Sequence, residues 1–404
     1  MASAGAVAQT NVLLLDELWQ AQQADAGAVA QFIKDHDGKP IVEPVPGYPG
    51  ERRVTFYTLA KKDTDYVMYG GGPDFGGLVM QPLGTSLLRY VTLTLADDAR
   101  YRYNFSDYKR FPIGATQREV DRSDDRVLEM ENAPVQPFIA ACAGVLRGEL
   151  KQHAVASEIL GQTRNVSVYT PANYKSGQGH KLLILFDGES YSAAADAGPR
   201  TAGWVPTPTI LDNLMAEGKI EPTVAIFVSR GRTRNRDLPR DDFGDFVANE
   251  LIGWARQKYD ILPAASDVII GGSSRGGYAA ALIAFRYADK IGNVLSLSGS
   301  YWINDQTVQA ETDKVRFHFH RLRYPRGDGK MIKLFKASKL LPIRFYMTVG
   351  TYDLSLAMVG SNRQLRDILE AKGYSVDYSE FSGGHDYLSW RGLLSDGLIS
   401  LIGS

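Results

Sequence analysis

The segment Gly272-Ser273-Ser274-Arg275-Gly276 has the Gly-x-Ser-x-Gly spacing of a serine held on a sharp backbone turn. Strand-forming residues, Asp267-Val268-Ile269-Ile270, precede it. The helix-forming run Tyr278-Ala279-Ala280-Ala281-Leu282-Ile283-Ala284 follows. Such a turn presents the Ser274 hydroxyl at a helix N-terminus, where N–H groups and the helix dipole favour a developing anion. Glycines at 272 and 276 remove side chains that would collide with the strand and the helix. The chemistry served is nucleophilic attack on an acyl carbon.

A serine hydroxyl is a poor nucleophile near neutral pH and needs a base. Of six histidines (His36, His153, His180, His318, His320 and His385), only His385 lies in a late glycine-rich turn, Gly383-Gly384-His385-Asp386, after a strand-like run from Ser375 to Phe381. His318 and His320 alternate as residues on one face of a strand do. That is half of a zinc site at most, since no third ligand stands nearby, and a structural or surface role is the simpler reading. The acid that orients the imidazole should follow a late strand. Ile343 to Val349 ends at Gly350-Thr351-Tyr352-Asp353, which points to Asp353. Asp386 adjoins the base, and neighbouring side chains diverge, so it reads as a turn residue. The oxyanion needs two backbone donors. One is expected from Arg275, directly after the nucleophile, and the other from Gly188 or Glu189, after the strand-like run Leu182 to Phe186.

The elements that would position these groups are legible as a change of pattern. Residues 10–35 have helix-compatible spacing, with Leu13, Leu14, Leu15 and Leu18 able to share a face. After Pro40 come short β-branched and aromatic runs, Val54 to Leu59, Tyr66 to Tyr69, Val91 to Leu95 and Tyr101 to Phe105, the last two alternating with period two. They predict a small antiparallel sandwich ending near residue 150. The cluster Gly70-Gly71-Gly72-Pro73-Asp74-Phe75-Gly76-Gly77 lacks the Gly-Lys-Ser/Thr of a phosphate loop and reads as a strand connection. From residue 160 onward, continuous apolar runs (Leu182 to Phe186, Val224 to Val228, Val268 to Ile270, Val294 to Leu297, Ile343 to Val349) alternate with helical stretches such as Asp242 to Lys258 and Tyr278 to Tyr287. Strands buried on both faces and separated by helices predict a parallel sheet covered on both sides.

Arg230, Arg232, Arg234, Arg236 and Arg240 crowd the loop after Val224 to Val228. A charge run is commonly a solvated face. This one leaves the C-terminal end of a sheet strand, where open α/β sheets bind ligands, so a local anion-binding role stands beside the plainer one.

A chain of 404 residues predicts two domains, and 44% hydrophobic with 23% charged residues places it among globular proteins. The formal net charge of −1 gives no global pull toward nucleic acid. No apolar run reaches the roughly 18 residues of a membrane span. The single cysteine, Cys142, excludes a disulfide framework, and its apolar surroundings, Phe138 to Ala143, suggest burial. Ala6-Val7-Ala8 before Gln9 has the form of a small-x-small cleavage site but no basic and apolar segment precedes it.

Together, Gly272 to Gly277, the segment Leu295-Ser296-Leu297-Ser298-Gly299-Ser300-Tyr301-Trp302, and Gly383-Gly384-His385-Asp386 with Trp390-Arg391 resemble the enterochelin esterases. Val168-Tyr169-Thr170-Pro171, Leu183 to Gly188 and Arg234-Asn235-Arg236-Asp237-Leu238 extend the likeness. Gly84-Thr85 and Asp97 to Tyr103 are similar to the sandwich domain of the two-domain members, although Leu87 and Leu88 stand where that family commonly has a tryptophan. The resemblance implies an α/β-hydrolase catalytic domain (151–404) preceded by a smaller, immunoglobulin-like β-sandwich (1–150) that binds or covers substrate. It implies hydrolysis of a cyclic trilactone catecholate siderophore, an enterobactin-like small molecule, as its ferric complex. Iron would then enter only with substrate, no other cofactor or metal is expected, and an arginine rim would suit the anionic complex. Tyr301, Trp302 and Trp390 would either face catechol rings or pack in the core. The family points to the cytoplasm, the Ala-Val-Ala segment to the periplasm, and oligomeric state is not implied. Feruloyl or acetyl carbohydrate esterases, and acyltransferases similar to the mycolyltransferases, are the alternatives on the same scaffold.

Overall fold

Period-two alternation in the first third of the chain becomes antiparallel sheet: β1 (Ile41–Val45), β2 (Tyr48–Leu59), β3 (Tyr66–Gly70), β4 (Leu78–Val79), β5 (Gln81–Pro82), β6 (Leu88–Ala96), β7 (Arg100–Asp107) and β8 (Arg126–Glu129). The structure, a computed structural model, describes residues 9–25, 27–36, 38–70, 77–107, 126–192, 205–231, 233–305, 327–353 and 355–403. The two sheets have orders β1-β2-β6-β5 and β4-β3-β7-β8. Thr55 and Thr92 face each other across β2 and β6 with their hydroxyls 2.9 Å apart. Phe56 of β2 meets Tyr103 of β7 edge to face at 4.8 Å, joining one sheet to the other. Two helices, Gln9–Ala24 and Ala28–Asp35, come first, and Leu18 and Val29 pack with Tyr57, Leu83 and Leu88. This unit is therefore two antiparallel sheets with a helical layer, not β structure alone. Most of the glycine cluster (71–76) lies outside the described residues.

The chain divides into two compact units, Met1–Pro134 and Val135–Ser404. The division comes before residue 150 because the intervening segment is held by the second unit. Asn213 Nδ2 donates to the carbonyls of Phe138 (2.9 Å) and Ala140 (2.7 Å), and Gln136 Nε2 donates to Leu388 O at 2.7 Å. Cys142 is exposed on this segment instead of buried: Phe138 and Ile139 turn toward the core and the following residues run along the surface.

The second unit carries β9 (Glu149–Ser157), β10 (Gln162–Thr170), β11 (Lys181–Phe186), β12 (Thr223–Val228), β13 (Val268–Ser273), β14 (Asn293–Leu297), β15 (Arg344–Gly350) and β16 (Ser375–Phe381). They form one eight-stranded sheet in the order β9-β10-β12-β11-β13-β14-β15-β16. β10 runs antiparallel to both neighbours, and β12 through β16 are parallel. This is an α/β-hydrolase-type fold. In β11, Leu182, Ile184 and Phe186 face one core, whereas Leu183 and Leu185 face another, as the two-residue strand period dictates. Residues of Arg275–Arg286, Lys330–Ala337 and Ser361–Ala371 fill the first core; those of Thr207–Ala216 and Tyr387–Ile402 fill the second. The helix expected from Asp242 to Lys258 is present but interrupted, with a π-helical turn at Phe246–Leu251.

From β11 the chain crosses to β12 on one side, and β13 then returns to the other side of β11. Such a reversal of strand order, at the C-terminal ends of β11 and β13, is where open α/β sheets bind ligands. Ile270 of β13 is fully buried in the first core. Ile270→Ala is expected to lower unfolding stability by about 2–5 kcal/mol, to be read by urea denaturation; a loss under about 1 kcal/mol would show that this part of the core collapses around the cavity.

Candidate active site

β13 ends at Ser273, and Ser274 turns the chain directly into the helix Arg275–Arg286. Ser274 has φ 58° and ψ −120°, a left-sided backbone that an L-residue keeps only when its surroundings hold it. The holding bonds are Ser274 N to Leu297 O (2.9 Å) and Ser300 N to Ser274 O (3.0 Å), reaching across to the end of β14 and the segment after it. The Ser274 hydroxyl is partly exposed and lies 3.3 Å from the hydroxyl of buried Ser300. Ser300 was visible in the sequence only as part of the segment following β14; nothing in its spacing marked it as a neighbour of Ser274.

Two strands further along the sheet, β15 ends at Gly350 and leads to Asp353, while β16 ends at Phe381 and leads to His385. Parallel pairing puts the ends of β13, β15 and β16 on one sheet edge. There His385 Nδ1 donates to Asp353 Oδ2 at 2.8 Å, with the carboxylate fully buried and the imidazole 12% exposed. Backbone bonds weld the two loops: Thr351 N donates to Phe381 O (2.9 Å) and Tyr352 N to Gly383 O (3.0 Å). The approach is so close at Gly350 that a Cβ there would sit 2.2 Å from Gly383 O. Asp386 is engaged elsewhere. Its Oδ1 caps the helix Tyr387–Ile402 by accepting from Leu388 N at 2.9 Å.

Trp390 takes the second of the two places open to it. It is buried, stacks edge-on against the His385 ring at 4.8 Å, and donates from Nε1 to Ser298 Oγ at 3.3 Å. Its indole supports the imidazole instead of lining an open surface. Trp302 and Tyr301 are buried too, the Tyr301 hydroxyl donating to Ser296 Oγ at 2.7 Å. Core packing therefore describes all three aromatics.

Arg275, directly after Ser274, lies in the first turn of its helix, where N–H groups point out along the axis. Beyond β11, Asp187 adopts φ 58° and Gly188 and Glu189 follow. A Cβ on Gly188 would fall 2.8 Å from the backbone carbon of Phe227, so only glycine lets this loop lie against β12. Burial pushes the phenols of Tyr191 and Tyr387 above their ordinary range, well above it for Tyr191, so both stay neutral beside this loop.

The arginines separate. Arg234 pairs with Asp187 through both Nε and Nη2. Arg236 and Arg240 are exposed, beside Asp237 and Asp242 respectively, and Arg230 is half-buried. Arg232, His318 and His320 lie outside the described residues. Among the described residues no group of three His, Cys, Asp or Glu side chains is placed to hold a metal ion, and no helix is long and apolar enough to cross a membrane.

A family model described as a putative esterase matches residues 157–401. The iron(III) enterobactin esterase of Dickeya dadantii is 28% identical over 246 residues, 60% of this chain and 52% of that one, so the chain spans about half the length of this curated relative. The iron(III) salmochelin esterase of Escherichia coli O6:H1 is 28% identical over 89% of this chain and 90% of its own. The crystal structure of the ferric enterobactin esterase from Salmonella typhimurium shares the fold with a TM-score of 0.68, at 21% identity, covering 90% of this chain and 96% of that one.

Proposed function

The chain belongs to the putative esterase family, and on that premise we propose that it is a serine carboxylic ester hydrolase acting on a cyclic trilactone catecholate siderophore, enterobactin-like and taken as its ferric complex. The observation that carries the chemistry is the 2.8 Å contact between His385 Nδ1 and Asp353 Oδ2 on the sheet edge that also bears the Ser274 turn. The substrate class is supported by relatives named for iron(III) enterobactin and iron(III) salmochelin.

In this mechanism Ser274 Oγ attacks a lactone carbonyl while His385 Nε2 takes its proton. The carbonyl oxygen becomes an oxyanion held by the N–H of Arg275 and those of the Gly188-Glu189 loop. The bond to the seryl oxygen of the substrate breaks, and His385 returns the proton to that leaving oxygen. Water then attacks the acyl-enzyme by the same route, freeing a carboxylate and restoring Ser274. Asp353 keeps the proton on Nδ1, leaving Nε2 as the acceptor. Iron is carried by the substrate and takes no step here. Exposed Arg236 and half-buried Arg230 are assigned to the anionic complex, and the N-terminal unit to substrate binding.

Incubation with a ferric trilactone, followed by mass analysis, is expected to yield the linear trimer and then shorter catecholoyl-serine products, one water added per ester. An intact trilactone beside rapid cleavage of a feruloylated sugar would overturn the substrate assignment.

A further inference from the structure

The arginine-rich segment after β12 does something the sequence does not announce. Arg234 sets its Nε and Nη2 on the two carboxylate oxygens of Asp187, and its Nη1 lies 3.1 Å from Asn235 Oδ1. Nε and Nη2 are therefore turned inward, onto a carboxylate whose side chain is only 2% exposed. Asp187 is also one of three non-glycine residues among those described with a left-handed φ, and it immediately precedes Gly188 and Glu189. Glu189 is tied to the same segment, its carboxylate accepting from Arg230 N at 3.3 and 3.1 Å.

The segment is itself anchored. Asp237, in the same short helical turn as Arg234, accepts from Thr233 Oγ1 at 2.5 Å and pairs with Arg164 of β10, both partners being buried. Two arginine–carboxylate pairs thus run from β10 through the turn Arg234–Asp237 to the loop after β11. Gly188 is stopped on its far side by the Phe227 backbone. A planar guanidinium bound through two parallel N–H bonds fixes both the position and the plane of its carboxylate.

We propose that Arg234 is a positioning residue for the oxyanion site: by gripping Asp187 it aims the N–H groups of Gly188 and Glu189 at the developing oxyanion. The proposal rests on the serine-esterase reading. It opposes the reading of Arg234 as a contact for an anionic substrate, because a guanidinium already spent on a buried carboxylate has little field left to offer.

The two roles separate on a neutral ester. With p-nitrophenyl acetate, Arg234→Ala is expected to lower kcat by roughly 100-fold with KM within about threefold of wild type, as for a displaced oxyanion donor. Arg234→Lys keeps the charge but loses the fork, and is expected to lower kcat about 10-fold. It decides the matter should the alanine variant not fold, since that variant strands a buried charge. Labelling of Ser274 by a fluorophosphonate, whose phosphoryl oxygen takes the oxyanion position as fluoride leaves, should slow in parallel. Arg366→Ala, which removes a surface pair with Asp367, serves as a control with unchanged rates. Folded Arg234 variants with wild-type kcat and labelling on the neutral ester overturn the positioning role alone. A wild-type protein that neither cleaves esters nor is labelled at Ser274 overturns the serine-esterase reading and the positioning role with it.

Discussion

Ser274→Ala is expected to lower kcat/KM for ester hydrolysis by roughly 10⁴- to 10⁶-fold while leaving the thermal transition nearly in place. The fold should tolerate the change. The hydroxyl is partly exposed, makes no cap bond to its helix, and has Ser300 Oγ at 3.3 Å as its hydrogen-bonding neighbour. Alanine keeps the Cβ, so the strain at φ 58° is unchanged. What is lost is the oxygen assigned to form the acyl-enzyme. Because nucleophile and base act as one unit, adding His385→Ala to this variant should cost little more, in contrast to the product of two independent losses. Turnover of p-nitrophenyl acetate and of the trilactone, measured beside a melting curve, checks both statements. An S274A protein retaining more than about a hundredth of wild-type activity would sink the mechanism.

Asp353→Asn is the second large effect, expected to reduce kcat by about 10⁴-fold with a far smaller change in KM. The carboxylate is fully buried and grips Nδ1 of His385 at 2.8 Å. An amide of the same shape fills the same space but offers an N–H where the carboxylate offered a lone pair. The imidazole can then settle with its proton on Nε2, where it cannot accept from Ser274. The imidazolium formed during attack also loses its counter-charge. Stopped-flow kinetics would separate acylation from deacylation, and both should slow. If D353N remains within tenfold of wild type, the acid lies elsewhere.

Much of this site was legible because its signals are local. Strand, turn and helix around Ser274 are contiguous, and each residue type agrees with its neighbours. Asp353 could be chosen because the run ending at Val349 is strand-like and a carboxylate follows at once, while Asp386, set aside as a turn residue, accepts from Leu388 N at a helix start. The inward pairing of Arg234 was not legible, for a physical reason. A run of charge in sequence says nothing of which carboxylates fold against it, and Asp187 and Arg164 reach Arg234 and Asp237 from distant strands. Trp390 and Trp302 were ambiguous because an aromatic near a site packs or lines with equal chemical ease. The helical layer on the first unit was also underweighted, since Leu18 and Val29 reveal their buried faces only beside Tyr57 and Leu88.

The contact at Gly350 has a consequence for protein engineering. With Gly383 O too near to admit even a methyl group, and backbone bonds on either side, the turn bearing the imidazole and the strand end bearing its carboxylate form an inseparable cassette. Grafting the histidine turn alone onto another scaffold would deliver a ring with nothing to steer it, whereas β15 and β16 moved together should carry their alignment with them.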